Sequence, residues 1–159
     1  MKPYVDGLRE RGVEAGTVPE SGKLPMRAER AMELFVAMLE AHPRAALGGN
    51  SYGGRVASMV AAAEPAQVAG LVLFSYPLHR PGHPEQLRTA HWPKIRCPVL
   101  ILSGESDGFA RIDLLRKAVA RWKNADLVTY PGVGHGLHRN AAAFADALDR
   151  TAAFLKLVK

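Results

Sequence analysis

Short apolar runs alternate with amphipathic stretches along most of this chain. The run from Gly70 to Phe74 is the clearest, because every residue after the glycine is apolar. Continuous runs of this length are typical of strands that are buried on both faces of a parallel sheet. The pattern predicts strands at residues 13–18, 45–49, 69–76, 99–103 and 126–130.

The stretches between these runs have helical spacing. Apolar side chains recur every three or four residues at 32–39, 112–122 and 144–158, which places them on one face of a helix. A further helix is predicted at 55–64, where Pro65 would end it. Strands that alternate with helices of this length indicate an α/β fold, with a mostly parallel sheet flanked by helices. The length of 159 residues fits a single domain over residues 1–159.

Composition excludes several function classes. The net charge of +6 comes from 21 basic and 15 acidic residues, but the basic residues are scattered, which favours a solvated surface over a nucleic-acid site. Residues 65–79 form the longest stretch without a charge, which is too short to span a membrane. Cys97 is the single cysteine, so the chain has no disulfide or cysteine-based metal cluster, and we expect it to be cytoplasmic.

The most specific motif is Gly-Asn-Ser-Tyr-Gly at residues 49–53. It lies between a predicted strand and a predicted helix, which is the context of a nucleophile elbow. In such an elbow a serine is held on a tight turn at the start of a helix, and small residues allow the close approach of the backbone. Ser51 is therefore the candidate nucleophile, and the backbone N–H of Tyr52 is the candidate donor to an oxyanion.

A serine hydroxyl needs a base, and two later strands end in suitable residues. Asp107 follows the strand at 99–103, and His135 follows the strand at 126–130. Because functional groups of parallel sheets gather at the carboxyl ends of strands, we expect both side chains near Ser51. The order serine, acid, histidine predicts a catalytic triad, with His135 as base and Asp107 orienting its ring. Glu105 is an alternative acid, and His138 is an alternative base.

Three stretches resemble the α/β-hydrolase family, and within it the small dienelactone-hydrolase-like type. They are GGNSYGGRVAS at 48–58, CPVLILSGESD at 97–107 and GVGH at 132–135. The segment YPLH at 76–79 also resembles one that follows the sixth strand of these proteins. The resemblance implies hydrolysis of a small ester or related acyl substrate through an acyl-enzyme, without a metal or an organic cofactor. The segment from Pro77 to Trp92 is expected to cover the site, with Tyr76 and His79 as substrate contacts.

The resemblance is incomplete at the start of the chain. The family has strands before its first helix, here matched to residues 2–11, and one of them ends in a loop that supplies a second oxyanion donor. No such strand or loop is recognisable here, so the sequence predicts an N-terminally shortened fold: either residues before Met1 are missing, or the protein works with an incomplete sheet. The exposed sheet edge of such a fold would invite homo-oligomers. Two functions stay open: a serine hydrolase, or a non-catalytic binding or scaffold protein with an incomplete oxyanion hole.

Overall fold

The computed structural model describes residues 1–19 and 26–158. The described residues form five α-helices, four β-strands and two short 3-10 turns at Trp92–Lys94 and Leu137–Arg139. The helices are α1 (Lys2–Arg9), α2 (Ala28–Ala41), α3 (Tyr52–Ala63), α4 (Ile112–Val119) and α5 (Ala141–Leu157). The strands are β1 (Leu47–Asn50), β2 (Leu71–Phe74), β3 (Val99–Gly104) and β4 (Ala125–Tyr130).

The four strands form one parallel sheet in the order β1-β2-β3-β4. Strands β2 and β3 are buried at every position, as their continuous apolar runs predict. The prediction of a parallel sheet flanked by helices is confirmed, and so are the strands expected around residues 45–49, 69–76, 99–103 and 126–130. The four predicted helices that follow residue 31 are also present, with ends that differ by a few residues.

The sheet has a separate apolar cluster on each face. Leu71 and Leu73 of β2 contribute to the cluster that packs against α2, α3 and α4. Val72 and Phe74, which point to the opposite face, contribute to the cluster that packs against α1 and α5. This alternation follows from the two-residue period of a strand, and it fixes the register of the whole sheet. No helix among the described residues is long and apolar enough to cross a membrane.

The prediction of a strand at residues 13–18 is wrong, because this stretch has no strand partner and forms no regular secondary structure. Gly12 adopts a positive φ of 75° after α1, and the N–H of Val13 donates to the carbonyl oxygen of Leu8 at 3.0 Å. This contact closes the end of the helix, so the first residue of the stretch is engaged there and not in a strand ladder. Glu14 and Thr17 are exposed, as in a surface connection.

Candidate active site

Ser51 lies in a strained turn between the end of β1 and the start of α3. Its φ is 50° and its ψ is −118°, a backbone conformation that residues other than glycine rarely adopt. The Ser51 N–H donates to the carbonyl oxygen of Phe74 at 2.9 Å, which ties the turn to the end of β2. The hydroxyl is therefore carried above the carboxyl end of the sheet by a backbone that the sheet holds in place.

Two glycines of the elbow are required by a close approach of the backbone. A Cβ on Gly49 would lie 2.3 Å from the carbonyl carbon of Gly53, and a Cβ on Gly54 would lie 2.7 Å from the oxygen of Gly49. By contrast, a Cβ on Gly53 would meet no atom within 4 Å. The steric need for small residues therefore lies at positions 49 and 54, and position 54 is outside the five-residue motif.

The structure brings Ser51, Asp107 and His135 together in one hydrogen-bonded chain. The His135 Nδ1 atom lies 2.8 Å from Asp107 Oδ2, and its Nε2 atom lies 2.8 Å from Ser51 Oγ. The Asp107 side chain is fully buried, whereas 27% of the His135 side chain is exposed. A carboxylate only accepts, so Nδ1 donates to Asp107 and leaves Nε2 to accept the proton of the Ser51 hydroxyl.

Phe109 supports both partners of Ser51, and the sequence analysis missed it. Its backbone N–H donates to Asp107 Oδ1 at 2.8 Å, which occupies the carboxylate oxygen that His135 does not use. Its ring lies against the imidazole of His135, with a centroid distance of 4.4 Å. The position two residues after the acid is the only signal in the sequence, and many loops share such a residue.

Ser75 is a second supporting residue that the sequence analysis did not single out. It is fully buried directly after β2, its φ is 47°, and its N–H donates to the carbonyl oxygen of Leu102 at 2.8 Å. Its hydroxyl oxygen accepts from the N–H of Gly136 at 3.4 Å, next to His135. A polar residue directly after a buried strand was the available signal, since Ser51 has the same kind of position.

Tyr4 of α1 contacts the residue that precedes the nucleophile. Its hydroxyl donates to Asn50 Oδ1 at 3.0 Å and lies 3.5 Å from Nδ1 of the exposed His138. Burial raises the pKa of Tyr4 to about 12, so the hydroxyl keeps its proton as a donor. No local pattern could reveal this contact, because the two residues are far apart in the chain.

The backbone N–H of Tyr52 is the first of helix α3. The N–H groups of a first helical turn have no carbonyl partner within the helix, and the helix dipole favours negative charge there. The side chain of Tyr52 points elsewhere, since its hydroxyl donates to the carbonyl oxygen of Met26. The predicted oxyanion donor thus lies at the positive end of a helix, in the residue that follows Ser51.

Comparison with protein families covers most of the chain. Residues 13–156 match the family model described as an alpha/beta hydrolase domain. The chain belongs to the α/β-hydrolase family. The match includes the elbow, the Asp107 loop and the His135 loop.

Solved structures of other proteins have the same fold as this α/β-hydrolase. It is similar to a monoacylglycerol lipase from Paleococcus ferrophilus, with a TM-score of 0.69 and 14% identity over 84% of this chain and 77% of that one. It is also similar to an alpha-beta serine hydrolase homologue from Coxiella burnetii, with a TM-score of 0.71 and 19% identity over 94% and 74%. A third match is an E-2-(acetamidomethylene)succinate hydrolase, with a TM-score of 0.71 and 14% identity over 86% and 76%.

The segment after β2 holds Tyr76 and His79 inside this α/β-hydrolase. Tyr76 is fully buried, and its hydroxyl donates to the carbonyl oxygen of Arg88 at 2.6 Å. His79 is 2% exposed; its Nε2 atom accepts from the N–H of Arg111 at 3.0 Å, so Nδ1 donates to the carbonyl oxygen of Arg80 at 2.8 Å. Both side chains are used to hold loops together, and we therefore leave them out of the proposed substrate contacts.

The alternative acid Glu105 and the alternative base His138 have hydrogen-bond partners outside the chain formed by Ser51, His135 and Asp107. Glu105 Oε1 accepts from Arg116 Nη2 at 2.6 Å and from the Thr129 hydroxyl at 2.7 Å, away from the imidazole of His135. His138 is exposed and lies beside Tyr4. The buried Cys97 is no rival nucleophile, because burial raises the pKa of its thiol to about 11. The geometry therefore favours the set formed by Ser51, His135 and Asp107.

Proposed function

We propose that this α/β-hydrolase is a serine hydrolase that cleaves a small ester or a related acyl substrate. The single observation that carries the proposal is the hydrogen-bonded chain from Asp107 through His135 to Ser51, with both distances at 2.8 Å. Ser51 is the nucleophile, His135 is the general base and then the general acid, and Asp107 orients the imidazole and stabilises its charged form.

The mechanism follows from the positions of the protons. His135 Nε2 takes the proton of the Ser51 hydroxyl as Oγ attacks the carbonyl carbon of the substrate. The negative charge that develops on the carbonyl oxygen is stabilised by the backbone N–H of Tyr52. The proton on Nε2 then passes to the leaving group, and an acyl group remains on Ser51. A water molecule that is deprotonated by His135 releases the acid and restores the hydroxyl.

Two structural costs support catalysis over the alternative of a non-catalytic binding or scaffold protein. The backbone of Ser51 has a strained conformation, and the carboxylate of Asp107 is fully buried. Strained backbones and buried charges persist where the surrounding structure has a use for them, and they are concentrated at active sites. A scaffold protein would need neither feature, and it would be more stable with a glycine at position 51.

The substrate type is a finer part of the proposal. The resemblance of residues 48–58 and 97–107 to the dienelactone-hydrolase-like type favours an ester or lactone of a small molecule. The name of the Paleococcus ferrophilus protein, a monoacylglycerol lipase, agrees with an ester as the bond that is cleaved. The proposed chemistry uses only side chains and backbone groups of the chain, and it needs no metal or organic cofactor.

A fluorophosphonate probe tests the proposal directly. Such probes react with an activated serine, so we expect one adduct by intact-mass analysis and the label on the peptide that contains Ser51. The Ser51→Ala variant is the control and should take up no label. Folded wild-type protein that stays unlabelled, and that hydrolyses no p-nitrophenyl ester of a short acid, would overturn the assignment.

A further inference from the structure

Two arginines, Arg55 and Arg88, lie near the buried side chain of Tyr76, and Arg80 lies near Arg88. Arg88 is held in place by its backbone, which donates to the carbonyl oxygen of Leu78 at 2.8 Å and accepts from the Tyr76 hydroxyl at 2.6 Å. Arg55 is on α3, and Arg80 is on the loop that follows β2. The sequence analysis assigned none of the three to a function.

A hydrogen-bonded network links Arg55 to the same region. The Ser58 hydroxyl donates to the carbonyl oxygen of Arg55 at 2.7 Å. Because that proton is engaged, the Nε2–H of His91 donates to Ser58 Oγ at 2.7 Å. Helix α3 and the segment that carries Arg88 and His91 are thereby joined.

The positive charges in this region act on one another. Burial lowers the pKa of the Arg88 guanidinium, and the positive charges of Arg55 and Arg80 lower it further. Burial also lowers the pKa of His91 to about 4, again with a contribution from the charge of Arg55. His91 is therefore neutral near pH 7 and adds no charge to the cluster.

No carboxylate compensates these charges within residues 1–19 and 26–158. The ion pairs of that part of the chain leave out Arg55, Arg80 and Arg88, and Glu85, the acidic residue of the same loop, pairs with His83. The Nε atom of Arg55 is buried and has no hydrogen-bond partner there. A buried donor without a partner and a cluster of like charges both destabilise a fold. Features of this kind are typical of functional sites, and here an anion would compensate both of them.

The position of Arg55 connects this cluster to the nucleophile. Its N–H donates to the carbonyl oxygen of Ser51 at 3.1 Å, so the two residues are one helical turn apart on the same face of α3. Side chains of a helix lean toward its N-terminus, and that direction leads from Arg55 to the turn that holds Ser51.

We infer that Arg55 and Arg88, with Arg80 at the rim, form a subsite for a carboxylate group carried by the substrate of Ser51. Arginine suits this task because its planar guanidinium binds a carboxylate through two parallel hydrogen bonds. The buried Arg55 Nε–H has no partner among the described residues. This inference rests on the proposed function, because it names the class of acyl substrate for the same serine.

Matched pairs of esters test the inference. The first pair is p-nitrophenyl adipate with a free carboxylate and its methyl ester, which differ in charge on the acyl side. The second pair is 4-acetoxybenzoate and its methyl ester, which differ in charge on the leaving-group side. For at least one pair we expect kcat/KM to be about tenfold higher for the anion, the size of a charge-assisted hydrogen bond. The preference should weaken as NaCl is raised, because salt screens the charges.

Substitutions of the arginines test whether they cause the preference for the anionic ester. Arg55→Gln and Arg88→Gln should each lower the ratio of anionic to neutral kcat/KM by about tenfold, and Arg88→Lys should restore part of it. Arg121→Gln is the matched control, because this exposed arginine lies after α4 and outside the cluster, and it should leave the ratio unchanged. Circular dichroism and the melting temperature of each variant establish that it is folded.

The outcomes separate this inference from the proposed function. If Ser51 is labelled and neutral esters are hydrolysed, but neither pair gives a preference that Arg55→Gln or Arg88→Gln reduces, the subsite is wrong and the serine hydrolase stands. If no ester is hydrolysed, the subsite is tested by binding instead, with isothermal titration calorimetry of adipate and of dimethyl adipate. Saturable binding of adipate that Arg88→Gln abolishes supports the subsite, and equal or absent binding of the two overturns it.

Discussion

Gly104, at the end of β3, lies directly against the carbonyl oxygen of Val133, so that a Cβ on Gly104 would fall 2.1 Å from that atom. The same oxygen accepts from the N–H of Ser106 at 2.9 Å. These contacts join the loop that carries Asp107 to the loop that carries His135. The distance between acid and base is therefore set by the absence of a side chain at position 104.

A Gly104→Ala substitution should separate these two loops. The Val133 carbonyl belongs to the backbone and has little freedom to move, so we expect a loss of about 1–3 kcal/mol in the free energy of unfolding. Ester hydrolysis should fall along with it, because His135 moves away from Asp107. Urea denaturation and kcat/KM measure the two effects. Gly108→Ala is the control, since a Cβ there meets no atom within 4 Å. If the two variants lost the same stability and the same activity, the contact of Gly104 with Val133 would not position the two loops.

The strained turn predicts that two inactive variants of Ser51 differ in stability. Ser51→Gly should unfold at a higher temperature than Ser51→Ala, by the equivalent of about 1 kcal/mol, because glycine adopts a positive φ without strain. Both variants lack the hydroxyl and should be inactive toward esters. Differential scanning calorimetry of the pair makes the comparison, and a glycine variant no more stable than the alanine variant would remove the case for strain.

Two acids in the same loop can be compared directly. Asp107→Asn should reduce kcat by about 10⁴-fold, because an amide no longer stabilises the charged imidazole of His135 or fixes its tautomer. Glu105→Gln should leave kcat within a few-fold of the wild type, since Glu105 contacts Arg116 and Thr129. Steady-state kinetics with a p-nitrophenyl ester distinguishes them. A larger loss for Glu105→Gln than for Asp107→Asn would assign the acid to Glu105.

The half-buried His91 predicts a dependence of stability on pH. Its pKa is about 4 in the folded protein and about 6.5 when unfolded, so the unfolded chain binds more protons between these values. The contribution of His91 is therefore complete above pH 6.5 and is lost as the pH falls toward 4. We expect His91→Gln to reduce the loss of stability between pH 7 and pH 4.5, by on the order of 1–2 kcal/mol.

Urea titrations at several pH values measure this dependence. His42→Gln is the matched control, because His42 is exposed at the end of α2 and should leave the pH dependence of the wild type intact. If His91→Gln and wild type lose stability in parallel on acidification, the histidine is not held neutral by burial.

The parts of the fold that could be predicted from sequence are those that depend on local pattern. The continuous apolar runs of β2 and β3 can only be satisfied by burial on both faces, so their prediction needed no knowledge of neighbouring strands. Residues 13–18 also contain apolar residues, but they are interrupted by Glu14, Gly16 and Thr17. A strand also requires a partner, and no local pattern reveals whether one exists.

The same limit applies to the candidate site. Ser51, Asp107 and His135 were predictable as neighbours because each follows a strand, and parallel strands end on one edge of the sheet. Tyr76 also follows a strand, yet its ring is buried, because a sequence does not reveal toward which side of a loop a side chain turns. Arg55 was missed for a related reason: a missing partner is visible only when the surroundings are known.

The hydrogen bond between Ser51 and His135 joins residues that are 84 positions apart in the chain. The strained turn lies between β1 and α3 and is tied to the end of β2, but its serine gains a base only when β4 and the loop after it are in place. During synthesis on the ribosome, a chain that has not yet exposed residue 135 therefore carries an inert hydroxyl. Reactivity toward a serine probe would then report completion of the sheet, and a newly made chain would be protected from premature acylation.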